Sequence, residues 1–328
     1  MADDPRIDTL RRSLLAAALL GGIGSRALAQ TWPAKPVRLL LGYAPGGGAD
    51  ITARELAQPL SKLLGQPVIV DYKAGASGTL AAAEVARAAP DGYTLGLLDN
   101  APLAIVPALR NLAYDPLKSF TPIAMVTQLP QVLVANPGLP AATSRELIAL
   151  MRKQPGKLNF GSGGSGSVGH LAAELYKARS ETFALHVPYR GGAPTITALI
   201  GGEVQFAFLT YAATAQFIKS GQLKALGVSS ALRMPQLPNV PTIAEDGLPG
   251  YEAVGWFALV GPAGLPPAVV QTLQKAVAEA LAAPAVVQRF ETLGQTVAAG
   301  KVDPNQAIAA ELATWRKLVA ERKLSVEM

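Results

Sequence analysis

The chain of 328 residues is half hydrophobic and only 16% charged, which excludes a disordered protein and leaves room for about two domains. It has no cysteine and only two histidines, which excludes disulfides, thiolate catalysis and the usual zinc sites. The formal charge is +6, but the basic residues are scattered, so we expect no nucleic-acid partner, and we predict neither a metal nor a cofactor.

A short apolar segment near the N-terminus has the pattern of an export signal. Arg11 and Arg12 precede the apolar residues 14–20, and Ala27-Leu28-Ala29 forms a small-x-small cleavage site. The segment is too short to cross a bilayer, so we expect a periplasmic protein that is cleaved after Ala29 and is not embedded in the membrane. General secretion and twin-arginine export both fit, and a buried N-terminal helix is the alternative.

Short apolar runs and amphipathic patterns then alternate, which is typical of an α/β protein with mainly parallel sheets. The first series predicts strands at 36–42, 68–70, 92–98 and 132–134, and helices at 49–64 and 80–88.

The loop between the first strand and the first helix is the strongest functional signal in this series. It contains Tyr43, Pro45, the three glycines Gly46 to Gly48, and Asp50. Glycines at a strand-to-helix junction let backbone N–H groups approach a ligand closely. The helix start adds unpaired N–H groups and a partial positive charge, so the loop is suited to an anionic oxygen. Asp50 is interpreted either as a ligand contact or as a cap of the helix.

A second series of elements repeats this arrangement about 115 residues later. It predicts helices at 144–152, 171–178 and up to 200, with strands at 158–160, ending at 187, and at 204–209 and 225–228. A strand at 257–260 and two or three alanine-rich helices complete the chain, and Trp256 is expected in the hinge or the core. Two α/β lobes that each direct a helix start at a shared cleft would hold an anion from both sides.

The glycine-serine segment 161–166 matches G-x-G-x-x-G, but Glu181 precedes the next strand, whereas a dinucleotide site needs its acid at the end of that strand. The sequence around Ser77 lacks the final glycine of a nucleophile elbow, and His186 lies within an apolar strand. We therefore expect a binding protein and not an enzyme.

Several polar residues of the second series have two possible roles. Ser162, Ser165 and Ser167 either cap the following helix or bind ligand oxygens. His170 either donates to an anion or bonds nearby backbone. Arg190, which follows Tyr189, either pairs with a ligand carboxylate or joins the lobes through an ion pair.

The order of these motifs resembles the Bug-type extracytoplasmic solute receptors, the binding proteins of tripartite tricarboxylate transport systems. The resemblance covers nearly the whole mature chain. It depends on these segments: Trp32-Pro33, 45–50, 75–78, 90–95, 161–172, 187–192, 238–242, Glu245 and Gly247.

The resemblance implies a type II periplasmic-binding fold, with lobe one at 30–131 and 250–328, lobe two at 132–249, and a small carboxylate held in the cleft between them. It also implies transient contact with membrane transporter subunits by a monomer; a receptor that signals to a membrane sensor kinase is the alternative. The expected ligand contacts are Tyr43, Pro45, Gly46, Gly47, Gly48, Asp50, Ala76, Ser77, Gly78, Thr79, Ser162, Gly163, Ser165, Ser167, His170, Tyr189, Arg190 and Leu209.

One departure from the family pattern concerns specificity. Members often carry an acidic residue after the strand at 204–208, where this chain has Leu209-Thr210-Tyr211. The loss of that carboxylate removes a partner for an ammonium group, so we expect an aliphatic or aromatic acid and not an amino acid.

Overall fold

The computed structural model describes residues 32–298 and 302–322, with the backbone alone for residues 318, 321 and 322. The predicted export signal at 1–29 lies outside the described residues. Within the described part of the chain, no helix is both long and apolar enough to cross a membrane.

The part of the chain that the structure describes contains ten strands: β1 (Val37–Leu41), β2 (Val68–Tyr72), β3 (Thr94–Asp99), β4 (Phe120–Ala135), β5 (Asn159–Ser162), β6 (Leu185–Pro188), β7 (Phe206–Thr210), β8 (Lys224–Val228), β9 (Val254–Pro262) and β10 (Thr296–Val297). They form two sheets that share β4, in the order β2-β1-β3-β9-β4-β7-β5-β6, with β8 and β10 also paired to β4. The first sheet contains β1, β2, β3, β9 and β10, and the second contains β5 to β8.

Helices cover these sheets and connect the strands. They are α1 (Gly48–Leu64), α2 (Thr79–Arg87), α3 (Val106–Leu109), α4 (Ser144–Lys153), α5 (Val168–Ser180), α6 (Gly192–Ile200), α7 (Tyr211–Lys219), α8 (Pro267–Ala282), α9 (Pro284–Thr292) and α10 (Pro304–Arg322). Short helical turns at Ala76–Gly78 and Ala101–Ile105 precede α2 and α3. The mixed α/β, two-sheet architecture agrees with the predicted fold class.

Strand β4 is longer than the sequence pattern predicts, and it belongs to both sheets. The predicted strand at 132–134 is only the end of this 16-residue strand, which contains Pro122 and Pro130. Its first part pairs with β9 as far as Pro130, and Gln131 begins its pairing with β7. The predicted lobe boundary after residue 131 therefore falls inside one continuous strand. Each described strand that pairs with β4 or β9 runs antiparallel to it. By contrast, β1 is parallel to β2 and β3, and β5 is parallel to β6 and β7.

Each sheet has its own hydrophobic core. Tyr176, Phe208 and Tyr251 pack together on the second sheet, and Tyr251 donates to the carbonyl oxygen of Ala172 at 2.8 Å. Trp256 belongs to the core of the first sheet, so the structure gives it a packing role. Helix α8 packs on α1, and α10 packs against α3. The last helices thus support the half of the molecule that contains β1 to β3.

Candidate functional site

A cavity of about 80 Å³ lies where the loop after β1 meets the end of β7 and the start of α5. It is large enough for a few water molecules or the body of a small organic ligand. Six of the residues predicted as ligand contacts line it: Tyr43, Gly47, Gly48, Gly163, Ser167 and Leu209. The structure therefore brings both glycine loops to one cavity.

The starts of four helices border this cavity. They belong to α1, α5, α6 and α7, and their first residues or caps lie in its wall: Gly48, Val168, Gly192 and Thr210. The residues before α1, α6 and α7 provide no side-chain cap, whereas the Ser167 hydroxyl accepts the His170 N–H at 3.3 Å before α5. Uncapped N–H groups and four convergent helix dipoles make this region favourable for negative charge.

Tyr43 and Asp99 form the polar side-chain pair of the cavity. The Tyr43 hydroxyl donates to Asp99 Oδ2 at 2.7 Å. Burial raises the pKa of Asp99 to about 7, and it raises the pKa of Tyr43 well above its ordinary 10, so the phenol remains a donor at neutral pH. Asp99 was not among the predicted contacts. The available signal was its position at the carboxyl end of β3, where parallel sheets bind ligands.

Asp50 stabilises the glycine loop and does not line the cavity. Its carboxylate accepts the Gly46 N–H at 2.8 Å, the Tyr72 hydroxyl at 2.7 Å and Arg54 Nε at 2.7 Å. Burial on its own raises the pKa of Asp50, but these bonds together lower it below its ordinary value. Asp50 therefore stays ionised and fixes the loop that begins α1.

Hydrogen bonds across the cleft use residues that were predicted to contact the ligand. Ser77 Oγ donates to the Ser165 carbonyl oxygen at 2.5 Å, and the Ala44 N–H donates to the Arg190 carbonyl oxygen at 3.2 Å. Ala76 and Gly78 flank Ser77 in the turn before α2, and Thr79, the first residue of α2, donates from Oγ1 to the Ala76 carbonyl oxygen at 2.8 Å. These residues join the two sides of the cleft beside the cavity, and their contact with ligand stays a prediction.

Two histidines stack behind the cavity wall. The rings of His170 and His186 have centroids 3.9 Å apart. His170 Nδ1 accepts the Gly166 N–H at 2.9 Å, and His186 Nε2 lies 2.6 Å from Ser162 Oγ. Burial lowers the pKa of His170 to about 3 and that of His186 to about 4, so both are neutral at physiological pH. His170 and Ser162 thus hold the second glycine loop in place.

We expect acid to destabilise the protein through these histidines. Their folded-state pKa values lie below the ordinary 6.5, so only the unfolded chain gains their protons as pH falls. Their contribution to stability is complete above pH 6.5 and is lost toward pH 4, by about 1.4 kcal/mol per pH unit for each histidine. Urea unfolding at pH 7, 6 and 5 should show a smaller loss in His186→Gln than in the wild type. Protonation of Asp99 changes the free energy of unfolding equally in both proteins, so it does not affect the difference between their losses. Equal losses would contradict a half-buried His186 that is neutral in the folded protein.

The remaining predicted contacts lie at the edge of the cleft. Three of them are exposed: Pro45, Gly46 and Arg190. The fourth, Tyr189, donates its hydroxyl to Glu203 at 3.2 Å. The structure thus separates this group from the residues that line the cavity, and their role in binding stays a prediction.

Most residues of the apolar cavity wall were not predicted from the sequence. Besides the predicted Leu209, the wall contains Leu129, Phe208, Ala213 and Phe257, which come from β4, β7, α7 and β9. Each of these residues is part of a hydrophobic strand or helix, so its pattern indicates only burial. Nothing local distinguishes the side chains that face the cavity from those that face the core.

Comparisons with known proteins agree with this geometry. The chain matches the family described as tripartite tricarboxylate transporter family receptor (TctC) over residues 52–324. BugT of Bordetella pertussis is 37% identical over 303 residues, which cover 92% of this chain and 93% of BugT. An R. palustris protein solved with adipate has a TM-score of 0.86 at 33% identity and covers 90% of this chain and 100% of its own. MatC from Rhodopseudomonas palustris with bound malate has a TM-score of 0.83 at 33% identity, over 88% of this chain and 100% of its own.

These matches confirm the resemblance drawn from the sequence motifs, and they extend over most of the chain. The family and its structural neighbours are solute-binding proteins, which confirms the prediction of a binding protein that is not an enzyme. The chain belongs to the tripartite tricarboxylate transporter receptor family, as one of its Bug-type solute-binding proteins.

Proposed function

We propose that this receptor captures a small mono- or dicarboxylate in the periplasm and delivers it to a tripartite tricarboxylate membrane transporter. The observation that carries the proposal is the convergence of four helix starts on one cavity. Their backbone N–H groups are oriented before the ligand arrives, so little ordering is needed at capture. The bound adipate and malate of two related structures support a carboxylate as the ligand class.

The walls of the cavity favour an acid with an apolar body. Phe208, Leu209 and Phe257 face the space beside the helix starts. An aliphatic chain or aromatic ring placed there would be removed from water, which stabilises the complex by about 25 cal/mol per Å² of buried apolar surface. We therefore expect longer aliphatic or aromatic acids to bind more tightly than acids with many hydroxyl groups.

A calorimetric screen of the purified protein tests this function. The panel contains adipate, malate, benzoate, glutamate and inorganic phosphate, at one pH and ionic strength. We expect at least one carboxylate without an amino group to bind in the micromolar range or more tightly, at about −8 kcal/mol, and to be recovered unchanged. Preference for phosphate, or chemical conversion of a bound acid, would contradict the proposal. Tightest binding of glutamate would refute the specificity argument based on Leu209.

Delivery and export need separate experiments. We propose that the chain is exported and cleaved after Ala29, so the mass of protein recovered from the periplasm should correspond to a chain beginning at Gln30.

We also propose that it acts as a monomer in solution and contacts the transporter only transiently. Uptake of the bound acid should stop when the receptor gene is deleted. Normal uptake together with a lost transcriptional response would favour a sensory receptor instead.

A further inference from the structure

Asp99 is a buried carboxyl group in a cavity that otherwise favours anions. It ends β3, lies opposite Phe257 of β9, and its side chain is only 6% exposed. Four helix starts and the Tyr43 hydroxyl surround the same cavity. A carboxylate group in the wall of a carboxylate-binding cavity would repel the ligand, so its protonation state decides what the cavity can hold.

The two oxygens of Asp99 have different surroundings. Oδ2 accepts the Tyr43 hydroxyl at 2.7 Å, whereas Oδ1 is buried without a hydrogen-bond partner among the residues that the structure describes. A buried polar atom costs free energy unless it is paired. Asp99 lies in the cavity wall, so a small rotation of its carboxyl group would give Oδ1 a bound molecule as its partner. The arrangement fits a neutral acid in which Oδ2 is the carbonyl oxygen and Oδ1 carries the proton.

The charges around Asp99 favour this neutral form. The titratable groups that act on it are Tyr43 from the loop after β1, Tyr114 from the segment after α3, and Glu311 from α10. Asp99 makes no ion pair with any described residue, while Glu311 adds a negative charge nearby. Burial, followed by the Glu311 charge, raises the pKa of Asp99 to about 7, whereas the Tyr43 bond and the backbone N–H groups of Asp99 and Ala101 act in the opposite direction. An arriving anion raises it further, because like charges favour protonation.

We propose that Asp99 contacts the bound acid as a neutral carboxyl group that donates a hydrogen bond from Oδ1, so that binding of each anion above neutral pH takes up one proton. The inference rests on the proposed carboxylate-binding function. The proton comes from solvent, adds to Oδ1 of the ionised carboxylate, and returns to solvent when the ligand leaves. An ammonium compound would require ionised Asp99 and would show the opposite pH dependence.

The test is calorimetry between pH 5.5 and 8.5 in pairs of buffers with different ionisation enthalpies. The probe is the tightest-binding acid of the panel above, chosen among those fully ionised above pH 6.5. We expect proton uptake to rise from near zero at pH 5.5 toward one at pH 8.5. The affinity should fall about tenfold per pH unit once the pH is well above 7. The neutral histidines contribute no proton in this range.

Three variants identify the group that takes up the proton. Asp99→Asn keeps a donor in the same place, so it should bind at pH 8.5 more tightly than the wild type and without proton uptake. Asp99→Leu removes the donor and should lose about tenfold or more in affinity already at pH 6. Glu311→Gln, which removes the other carboxylate whose charge acts on Asp99, should still take up a proton.

The possible outcomes separate the two proposals. Tight binding of an acid without proton uptake at pH 8.5 would overturn the role of Asp99 and leave the receptor function intact. Proton uptake that persists in Asp99→Asn would also overturn it. Affinity that rises with pH, with an amino-group ligand preferred, would show that Asp99 binds as an anion. Failure of every acid to bind at any pH would overturn both proposals.

Discussion

Replacing Gly48 with alanine should weaken ligand binding by about tenfold or more, because the new Cβ would collide with the Thr210 side chain in the cavity wall. That atom would lie 2.0 Å from Thr210 Oγ1, 3.0 Å from its Cβ and 3.1 Å from its Cγ2. Rotating the threonine side chain leaves its Cβ in place, so the start of α1 and the end of β7 would have to separate. Separation opens the cavity to water and weakens every bond within it.

The rescue of this variant is the sharper part of the experiment. Thr210→Gly removes all three atoms, and the Thr210 side chain makes no cap bond to α7, so the double variant should recover most of the affinity. Gly201→Ala, at the end of α6, is the matched control, because its new Cβ would meet no atom closer than 3.4 Å. Calorimetry measures affinity, and urea unfolding without ligand checks the fold. Equal affinity in Gly48→Ala and the wild type would contradict the close approach.

Replacing Glu311 with alanine should lower the free energy of unfolding by about 2–4 kcal/mol. Glu311 accepts Asn100 Nδ2 at 2.7 Å and Trp315 Nε1 at 3.1 Å, and it also accepts the indole N–H of Trp256. Asn100 and Trp256 are buried, so their donors would lose a charged acceptor. The bonds join α10 to β3 and β9, and their loss should loosen the last helix first.

Two controls show whether the effect comes from these bonds. Glu311→Gln keeps one carbonyl acceptor and should lose less stability than the alanine variant. Glu279→Ala changes an exposed glutamate of α8 and should stay within about 0.5 kcal/mol of the wild type. Urea unfolding of the ligand-free proteins measures all three. A loss in Glu311→Ala no larger than that in Glu279→Ala would contradict the role assigned to α10.

Most helices and strands could be predicted because their signals are local. The strand expected at 36–42 is β1, and the helix expected at 49–64 is α1, which begins one residue earlier. Strand β4 could not be predicted at its full length, because prolines normally end a strand. Pro122 lies beside a shift of register, and Pro130 lies where the strand passes from β9 to β7, so partners far along the chain tolerate both.

Some residues of the candidate site also have a local signal in the sequence, and others do not. The glycine loops were recognisable because closely spaced glycines before a helix have a local conformational reason. Asp99 was not recognisable, because it lies opposite Phe257 and its pKa is raised by burial and by the Glu311 charge, and both residues are distant in sequence. The His170–His186 stack likewise joins α5 to β6 only through the folding of the second sheet.

Glycine spacing and hydrophobic period are local properties, so they were enough to predict glycine-rich helix starts in both halves of the chain. The set of residues that line the cavity depends on the folded arrangement of distant elements. Packing of β3 against β9 places Asp99 there. In the same fold, Asp50 accepts the Gly46 N–H of the glycine loop, and Ser77 donates to the Ser165 carbonyl oxygen across the cleft. Burial and electrostatic environment are sums over the whole fold, so they cannot be deduced from neighbours along the chain.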